Sequence, residues 1–262
     1  MIIDCHAHLW PDHIAAAVLS SRPAGLDPRF DGTLAGLLDT MDAAGIDMAL
    51  ALGVAAKAST VARTNQFIGS VPRERLVPFG TVHPDLSDEE NLTTLRDNGI
   101  RGVKLHPLFQ SLSLGDARVV ELLGALAEEG IVVVTHAGAG GDDAANDRGA
   151  PKLLRRLVDS VPRLQLIACH YGGYHRLDEA EEQVIGGPLT LETSWPPTMA
   201  LLEPGRVVAL IRRHGADRVV FGSDWPMADP AAEIAAIRAL RLTADEEAAI
   251  LGGNLARILG LS

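Results

Sequence analysis

The residues in this chain with the clearest capacity for chemistry are two histidines in the N-terminal segment Met1-Ile2-Ile3-Asp4-Cys5-His6-Ala7-His8. Apolar residues lead into this His-x-His pair, which is typical of a short buried strand. Because strand side chains alternate between two faces, His6 and His8 point the same way. Two imidazoles at the end of one strand are placed to bind a divalent metal ion. An N-terminal strand with two incidental surface histidines is the alternative.

Polar side chains recur at the ends of later apolar segments. These further candidates are Lys104, His106, His136, His170 and Asp224. In a parallel β/α barrel, the carboxyl ends of the strands meet on the face that carries the active site. Three histidines and one carboxylate from such strands are enough for a catalytic metal site with an open position. The recurrence therefore favours a metal site over incidental histidines.

The segments that must position these residues alternate between strand and helix. Strands are predicted over residues 1–8, 46–54, 76–82, 100–107, 131–136, 164–170, 189–193 and 218–224. Helices are predicted over residues 33–44, 60–71, 89–98, 119–129, 151–160, 204–214, 231–240 and 244–259. Such continuous apolar strands require a parallel sheet that is covered on both faces. We predict an α/β fold of the (β/α)8 TIM-barrel type, as one domain over residues 1–262, with an open doubly wound sheet as the alternative.

Composition narrows the class of partner. The chain has 262 residues, of which 47% are hydrophobic, so it can bury a full core. Its net charge of −11 argues against nucleic-acid and anionic-membrane surfaces. The sequence contains no apolar run long enough to span a membrane and no signal-like N-terminus. We expect a cytoplasmic protein with a small-molecule substrate and no nucleic-acid or membrane partner.

The two cysteines, Cys5 and Cys169, each precede a histidine on an apolar strand. A single pair does not make a disulfide framework. By the two-residue alternation, each thiol is expected to face the covering helices, away from its histidine. We therefore predict two inert buried thiols, not ligands or nucleophiles.

A set of motifs along the whole chain resembles the amidohydrolase superfamily. More narrowly, it is similar to the amidohydrolase-related branch, which includes metal-dependent hydrolases and decarboxylases of the aminocarboxymuconate-semialdehyde type. The motifs are Asp4-Cys5-His6-Ala7-His8, Gly102-Val103-Lys104-Leu105-His106-Pro107, His136-Ala137-Gly138, Cys169-His170-Tyr171-Gly172-Gly173, Phe221-Gly222-Ser223-Asp224-Trp225-Pro226 and Asn254-Leu255-Ala256-Arg257-Ile258-Leu259-Gly260-Leu261.

The resemblance implies a distorted TIM barrel that holds a divalent metal ion, usually Zn2+, with Mn2+ or Fe2+ as alternatives. As ligands it implies His6, His8, His136 and Asp224, with His170 beside the metal-bound water. By analogy, it also implies a homodimer.

Elementary chemistry assigns roles to these residues. A metal held by neutral imidazoles and one carboxylate lowers the pKa of a bound water to around 7. Asp224 is expected to take the proton of that water and pass it to the leaving group, while His170 orients the hydroxide or polarises a carbonyl. For Asp4, two roles are open: a hydrogen bond that fixes a ligand, or plain bonding to the backbone.

Lys104 leaves the number of metals open. In binuclear members of the superfamily, a lysine at the end of strand four is carboxylated and bridges two metals. Lys104 lies on that strand, but His106 has the same facing and is closer to the loop. Lys104 is alternatively a cation for a substrate carboxylate. One metal is the favoured interpretation.

The remaining candidates would contact substrate. Trp10, Trp195 and Trp225 each follow a strand end and suggest an apolar wall for a small planar substrate. Tyr171 follows strand six, and Arg148 is placed to meet an acid group. The stretch from residue 9 to about residue 31, which contains His13, is a candidate lid, with His13 expected to be a solvated loop residue. The glycine-rich loop over residues 137–143 is flexible enough to close over a ligand.

Two classes of function fit these features. The first is a metal-dependent hydrolase of a small ester, lactone or amide, and the short chain favours it. The second is a non-oxidative decarboxylase of an aromatic or dienoic acid, which Arg148 or Arg176 in the pocket would favour. A non-catalytic metal-binding protein is a third possibility.

Overall fold

The computed structural model describes residues 1–21 and 27–261, which form two compact units. The first unit comprises the described residues of Met1–Ala51, Pro72–Val77 and Glu192–Ser262. The second unit comprises Leu52–Val71 and Pro78–Leu191. The single domain over residues 1–262 stays a prediction.

The described residues form eight strands that belong to one sheet. They are β1 (Ile3–His8), β2 (Met48–Leu52), β3 (Leu76–Gly80), β4 (Gly102–Leu105), β5 (Val132–Thr135), β6 (Leu166–Ala168), β7 (Thr190–Glu192) and β8 (Val219–Val220). The strand order in the sheet is the order in the chain, from β1 to β8. Eight strands in sequential order with helices between them are typical of the (β/α)8 fold, so the predicted fold class is confirmed.

The helices of the described residues cover the predicted helical segments. They are α1 (Asp12–Ser20), α2 (Leu34–Ala44), α3 (Val61–Gly69), α4 (Asp88–Asp97), α5 (Ala117–Glu128), α6 (Asp143–Asn146), α7 (Pro151–Ser160), α8 (Leu177–Gln183), α9 (Pro204–His214), α10 (Pro230–Ala239), α11 (Ala244–Ala248) and α12 (Asn254–Leu259). The predicted last helix is interrupted by a π-helical turn over Ala249–Gly253. Helix α4 begins with a capping box, in which Ser87 and Glu90 each bond to the other's backbone nitrogen.

The predicted lid is only partly a loop. Residues 12–20 form helix α1, in which Ala15 and Leu19 are buried. Its run of alanines favours a helix, which the loop prediction overlooked. His13 is exposed on this helix, so it is a solvated residue as expected, although not in a loop. Residues 22–26 of the predicted lid lie outside the described residues.

In the second unit, the strand register sets the positions of the site residues. Strand β4 pairs with β5 in parallel from Gly102 opposite Val132 to Leu105 opposite Thr135. Thr135 in turn lies opposite Ala168 of β6. The residues that follow each of these strands are therefore neighbours at one edge, which brings the segments that carry His106, His136 and His170 together.

In the first unit, β1 bonds to the segment that follows β8. Cys5 N donates to Phe221 O at 2.9 Å. Farther along, Trp225 N donates to His6 O at 3.1 Å and His8 N donates to Trp225 O at 2.8 Å. These bonds hold residue 224 beside the two histidines of β1. Among the described residues, the helices are all too short or too polar to cross a membrane.

Candidate active site

The first unit brings together three side chains that were predicted to bind metal. His6 Nε2 lies 3.1 Å from His8 Nε2. Asp224 Oδ1 lies 3.3 Å from His6 Nε2 and 3.8 Å from His8 Nε2. All three residues are buried. The predicted shared facing of His6 and His8 is confirmed.

The spacing of these three atoms fits a metal ion. Ligand atoms about 2.1 Å from a tetrahedrally coordinated ion lie about 3.4 Å from one another. The three observed separations, 3.1, 3.3 and 3.8 Å, bracket that value. Two imidazoles with one carboxylate are also a donor set that Zn2+ and similar ions accept. The residues present therefore fit a divalent metal site.

Asp224 reaches this position because the chain turns after β8. The strand ends at Val220, and Asp224 has a φ of 62°, in the left-handed region. A non-glycine residue in that conformation is uncommon and is often found at functional sites. The neighbouring bonds of Trp225 to β1 hold the turn in place.

Asp4 bonds to backbone and to a serine. Its Oδ1 accepts from His6 N at 2.9 Å and from Ser223 N at 3.0 Å, and its Oδ2 accepts from Ser223 Oγ at 2.5 Å. Burial raises the pKa of Asp4 to about 7, although the bonds to Ser223 and His6 oppose that rise. Of its two predicted roles, bonding to the backbone is the one observed.

Sequence reasoning missed two residues in this unit, Glu192 and Ser194. Glu192 Oε2 lies 3.1 Å from His6 Nδ1 and accepts from Ser194 Oγ at 2.8 Å. Glu192 is the last residue of β7, a strand that the sequence marked only weakly. A carboxylate at the end of an apolar strand was the one signal that pointed to it.

The second unit holds a histidine cluster, made of His106, His136 and His170. His136 Nδ1 lies 3.1 Å from His170 Nε2, again the spacing of two ligands on one ion. The ring of His106 stacks on that of His136 with centroids 4.4 Å apart and planes 10° apart. On its other side, His106 stacks on Phe109 at 3.9 Å. His106 is thus held as part of a ring stack.

Hydrogen bonding defines which nitrogen of His136 carries its proton. His136 Nε2 lies 2.9 Å from Ala139 O, which can only accept, so Nε2 carries the hydrogen. The lone pair is then on Nδ1, which faces His170. Burial, assisted by the positive charge of Lys104, lowers the pKa of His136 to about 3. The imidazole is therefore neutral, as a ligand must be.

Lys104 is fully buried and donates to Cys169 Sγ at 3.0 Å. The predicted facing of Cys169 toward the covering helices is wrong. Strand β6 ends at Ala168 and His170 has a φ of 59°, so the two-residue alternation does not extend to Cys169. The thiol instead contacts the lysine.

The predicted substrate-contact residues have different environments. Trp225 is fully buried, and its Nε1 donates to Thr40 Oγ1 at 3.3 Å. Tyr171 is also fully buried, whereas Arg148 is half-buried. The half-buried ring of Trp10 is near-parallel to that of His8, with centroids 6.0 Å apart. Contact of these four residues with substrate stays a prediction.

A buried carboxyl in the first unit makes stability depend on pH. Burial raises the pKa of Glu233 to about 7; Glu192 adds to this rise, while bonds from Met199 N and Thr198 and the charge of Arg29 oppose it. The folded protein therefore holds a proton that the unfolded chain releases above its ordinary pKa of 4.5. This contribution to stability is complete below that value and is lost as pH rises through about 7.

We expect Glu233→Gln to remove this loss. At about pH 8.5 the variant should be more stable than the parent by about 1–3 kcal/mol, and near pH 4 the two should match closely. Urea unfolding of the parent and the variant at a series of pH values measures the stability difference at each pH. Parallel stability profiles for the parent and the variant would contradict the assignment.

Comparisons with known proteins agree with this fold. A model of the amidohydrolase family matches residues 3–261. No curated protein matches the chain. Among solved structures, an uncharacterized TIM-barrel protein from Bordetella bronchiseptica is 21% identical to this chain, with a TM-score of 0.75. The match covers 99% of this chain and 98% of the Bordetella chain.

Two other similar structures carry activity names. A putative 2-pyrone-4,6-dicarboxylic acid hydrolase from Pseudomonas putida is 21% identical over 100% of this chain and 98% of its own, with a TM-score of 0.70. A 5-carboxyvanillate decarboxylase from Sphingomonas paucimobilis is 18% identical to this chain, with a TM-score of 0.76. The match covers 100% of this chain and 99% of the decarboxylase chain. At these identities the likeness shows the fold alone.

Proposed function

Since this chain belongs to the amidohydrolase family, whose members are metal-dependent enzymes, we propose that it is a hydrolase of a small ester, lactone or amide. The observation that carries the proposal is the set of His6 Nε2, His8 Nε2 and Asp224 Oδ1, separated by 3.1 to 3.8 Å. This set offers ligands for one divalent ion, for which we propose Zn2+.

A divalent ion in this place would supply a Lewis acid and lower the pKa of water. The protein supplies the rest. A carboxylate has two oxygens, so Asp224 can face the metal with one and take a proton from the attacking water with the other. His170 would orient that water or polarise the substrate carbonyl. Asp224 is buried, and a low-dielectric environment strengthens its interactions with charged groups.

The predicted fourth ligand, His136, belongs to the second unit and stays a proposal. It is supported by a neutral imidazole whose Nδ1 carries the lone pair, 3.1 Å from His170 Nε2. If His136 is a ligand, His136→Ala should weaken metal binding. The matched control is His13→Ala, which removes an exposed histidine on α1.

We expect one metal equivalent per chain. Our proposal leaves Lys104, whose Nζ donates to Cys169 Sγ at 3.0 Å, outside the metal site. Elemental analysis of protein purified without chelator should therefore give about one equivalent, both for the parent and for Lys104→Ala. About two equivalents in the parent, with one lost in Lys104→Ala, would contradict the mononuclear site.

A decarboxylase is the second candidate, and the similar structure with a decarboxylase name supports it. Arg176, one of the cations expected to favour decarboxylation, already forms ion pairs with other residues of the protein. Arg176 pairs with Asp147 at 3.0 Å and with Glu179 at 2.5 Å. Lys104 Nζ donates to Cys169 Sγ, and Arg148 is half-buried. We therefore place hydrolysis first.

The two candidates differ in product. The purified, zinc-loaded protein would be tested on paired panels: lactones, esters and amides of small acids, and the matching free aromatic and dienoic acids. Acid release in a pH-stat reports hydrolysis, and carbon dioxide release reports decarboxylation. Acid release from the first panel supports our proposal. Carbon dioxide from the second panel, with no acid from the first, would replace it with the decarboxylase.

A further inference from the structure

Glu192 is a carboxylate with no exposed surface, in the first unit. Such a group is costly to bury unless hydrogen bonds compensate. Its Oε2 accepts from Ser194 Oγ at 2.8 Å, and its Oε1 accepts from Ser194 N. Both oxygens therefore act as acceptors. The third contact is to His6, whose Nδ1 lies 3.1 Å from Glu192 Oε2 and 3.3 Å from Ser194 Oγ; the carboxylate oxygen is the nearer and the charged acceptor of the two.

The chain leaves room for this carboxylate. A side-chain carbon added at Gly222 would lie 2.6 Å from Glu192 Cδ, closer than real carbon atoms approach. Gly222 N also donates to Thr193 Oγ1 at 3.2 Å, which ties the segment after β8 to the end of β7. Glycine at position 222 thus lets the Glu192 side chain lie close to the backbone.

We propose that Glu192 is a positioning residue that prepares His6 to bind metal; this inference rests on the metal site of the proposed function. An acceptor oxygen at His6 Nδ1 requires the ring hydrogen there. The neutral ring then has its lone pair on Nε2, the atom that faces His8 and Asp224. Glu192 also fixes the ring plane. Partners of this kind raise metal affinity by about 10–100-fold.

The test compares two buried glutamates of the first unit. Glu192→Gln keeps the shape but places an amide among the donors of Ser194 and His6. Glu233→Gln is the matched control, because Glu233 is also buried but its bonds go to the Met199 amide and Thr198. Binding of Co2+ and Zn2+ to the metal-free proteins would be measured by competition with a chelating dye. We expect affinity to fall about 10–100-fold in Glu192→Gln and to stay within about twofold in Glu233→Gln.

A second readout needs no metal. Long-range 1H–15N correlation spectra of the metal-free protein distinguish the two tautomers of a histidine ring. His6 should carry its hydrogen on Nδ1 in the parent and should lose that preference in Glu192→Gln. A general loss of packing would not move this tautomer selectively.

The outcomes are separable. If the parent binds neither ion, the proposed function fails. If the parent binds and Glu192→Gln binds equally well with an unchanged tautomer, the positioning role is wrong and the metal site stands. If Glu192→Gln does not fold, Glu192→Asp decides, because it keeps a carboxylate and the Ser194 hydroxyl but draws the acceptor oxygen back from His6 Nδ1. A several-fold weaker affinity supports the role, and an unchanged affinity overturns it.

Discussion

Replacing Asp224 with asparagine should lower kcat/KM by about 10²–10⁴-fold, because the variant loses the carboxylate that we propose as the proton acceptor. Asparagine has nearly the same shape, so the left-handed turn at residue 224 can persist. The amide carries no charge, however, and it is a poorer ligand beside His6 and His8. The measurement is steady-state kinetics on the best substrate from the panels, together with metal content.

Asp217→Asn is the matched control, since it removes one carboxylate charge from the exposed surface of the same unit. It should keep the parental rate. If Asp224→Asn retains the parental rate with full metal content, Asp224 does not take part in the reaction, and the roles assigned above must be withdrawn.

The sequence predicted what depends on short-range periodicity. Alternation along β1 placed His6 and His8 on one face, and their Nε2 atoms are 3.1 Å apart. The repeating strand and helix segments predicted the (β/α)8 class. Both features follow from two- and 3.6-residue periods that a single segment displays by itself.

What periodicity could not predict depends on contacts between distant segments. Glu192 meets His6 across 186 positions, from a strand of only three residues. Asp224 lies beyond the end of β8, in a left-handed turn that no strand pattern encodes. For Cys169, the alternation argument failed because the strand had already ended.

The structure also explains why the motif histidines are not equivalent. His6 has a carboxylate behind its Nδ1, and His136 has a carbonyl oxygen at its Nε2. Each acceptor directs the lone pair to the opposite nitrogen. In His6 that nitrogen faces His8 and Asp224, and in His136 it faces His170. The two histidines are therefore opposite tautomers, each with its lone pair on the nitrogen away from its acceptor.

Removing the metal should abolish activity and also lower the melting temperature. An ion that binds the folded protein alone, at about 1,000 times its dissociation constant, stabilises it by about 4 kcal/mol. For a protein of this length that is a fall of roughly 8–16 °C after chelation. Differential scanning calorimetry of the parent, before and after dialysis against a chelator, measures the change, and restored zinc should reverse it.

His8→Ala provides the control for this experiment. His8 contributes one of the three atoms spaced for an ion, so its loss should leave a melting temperature that chelation hardly changes. The comparison separates the metal from general effects of the chelator, because both proteins meet the same reagent. If the parent also melts at the same temperature with and without chelator, the close approach of His6, His8 and Asp224 serves another purpose, and the hydrolytic mechanism loses its basis.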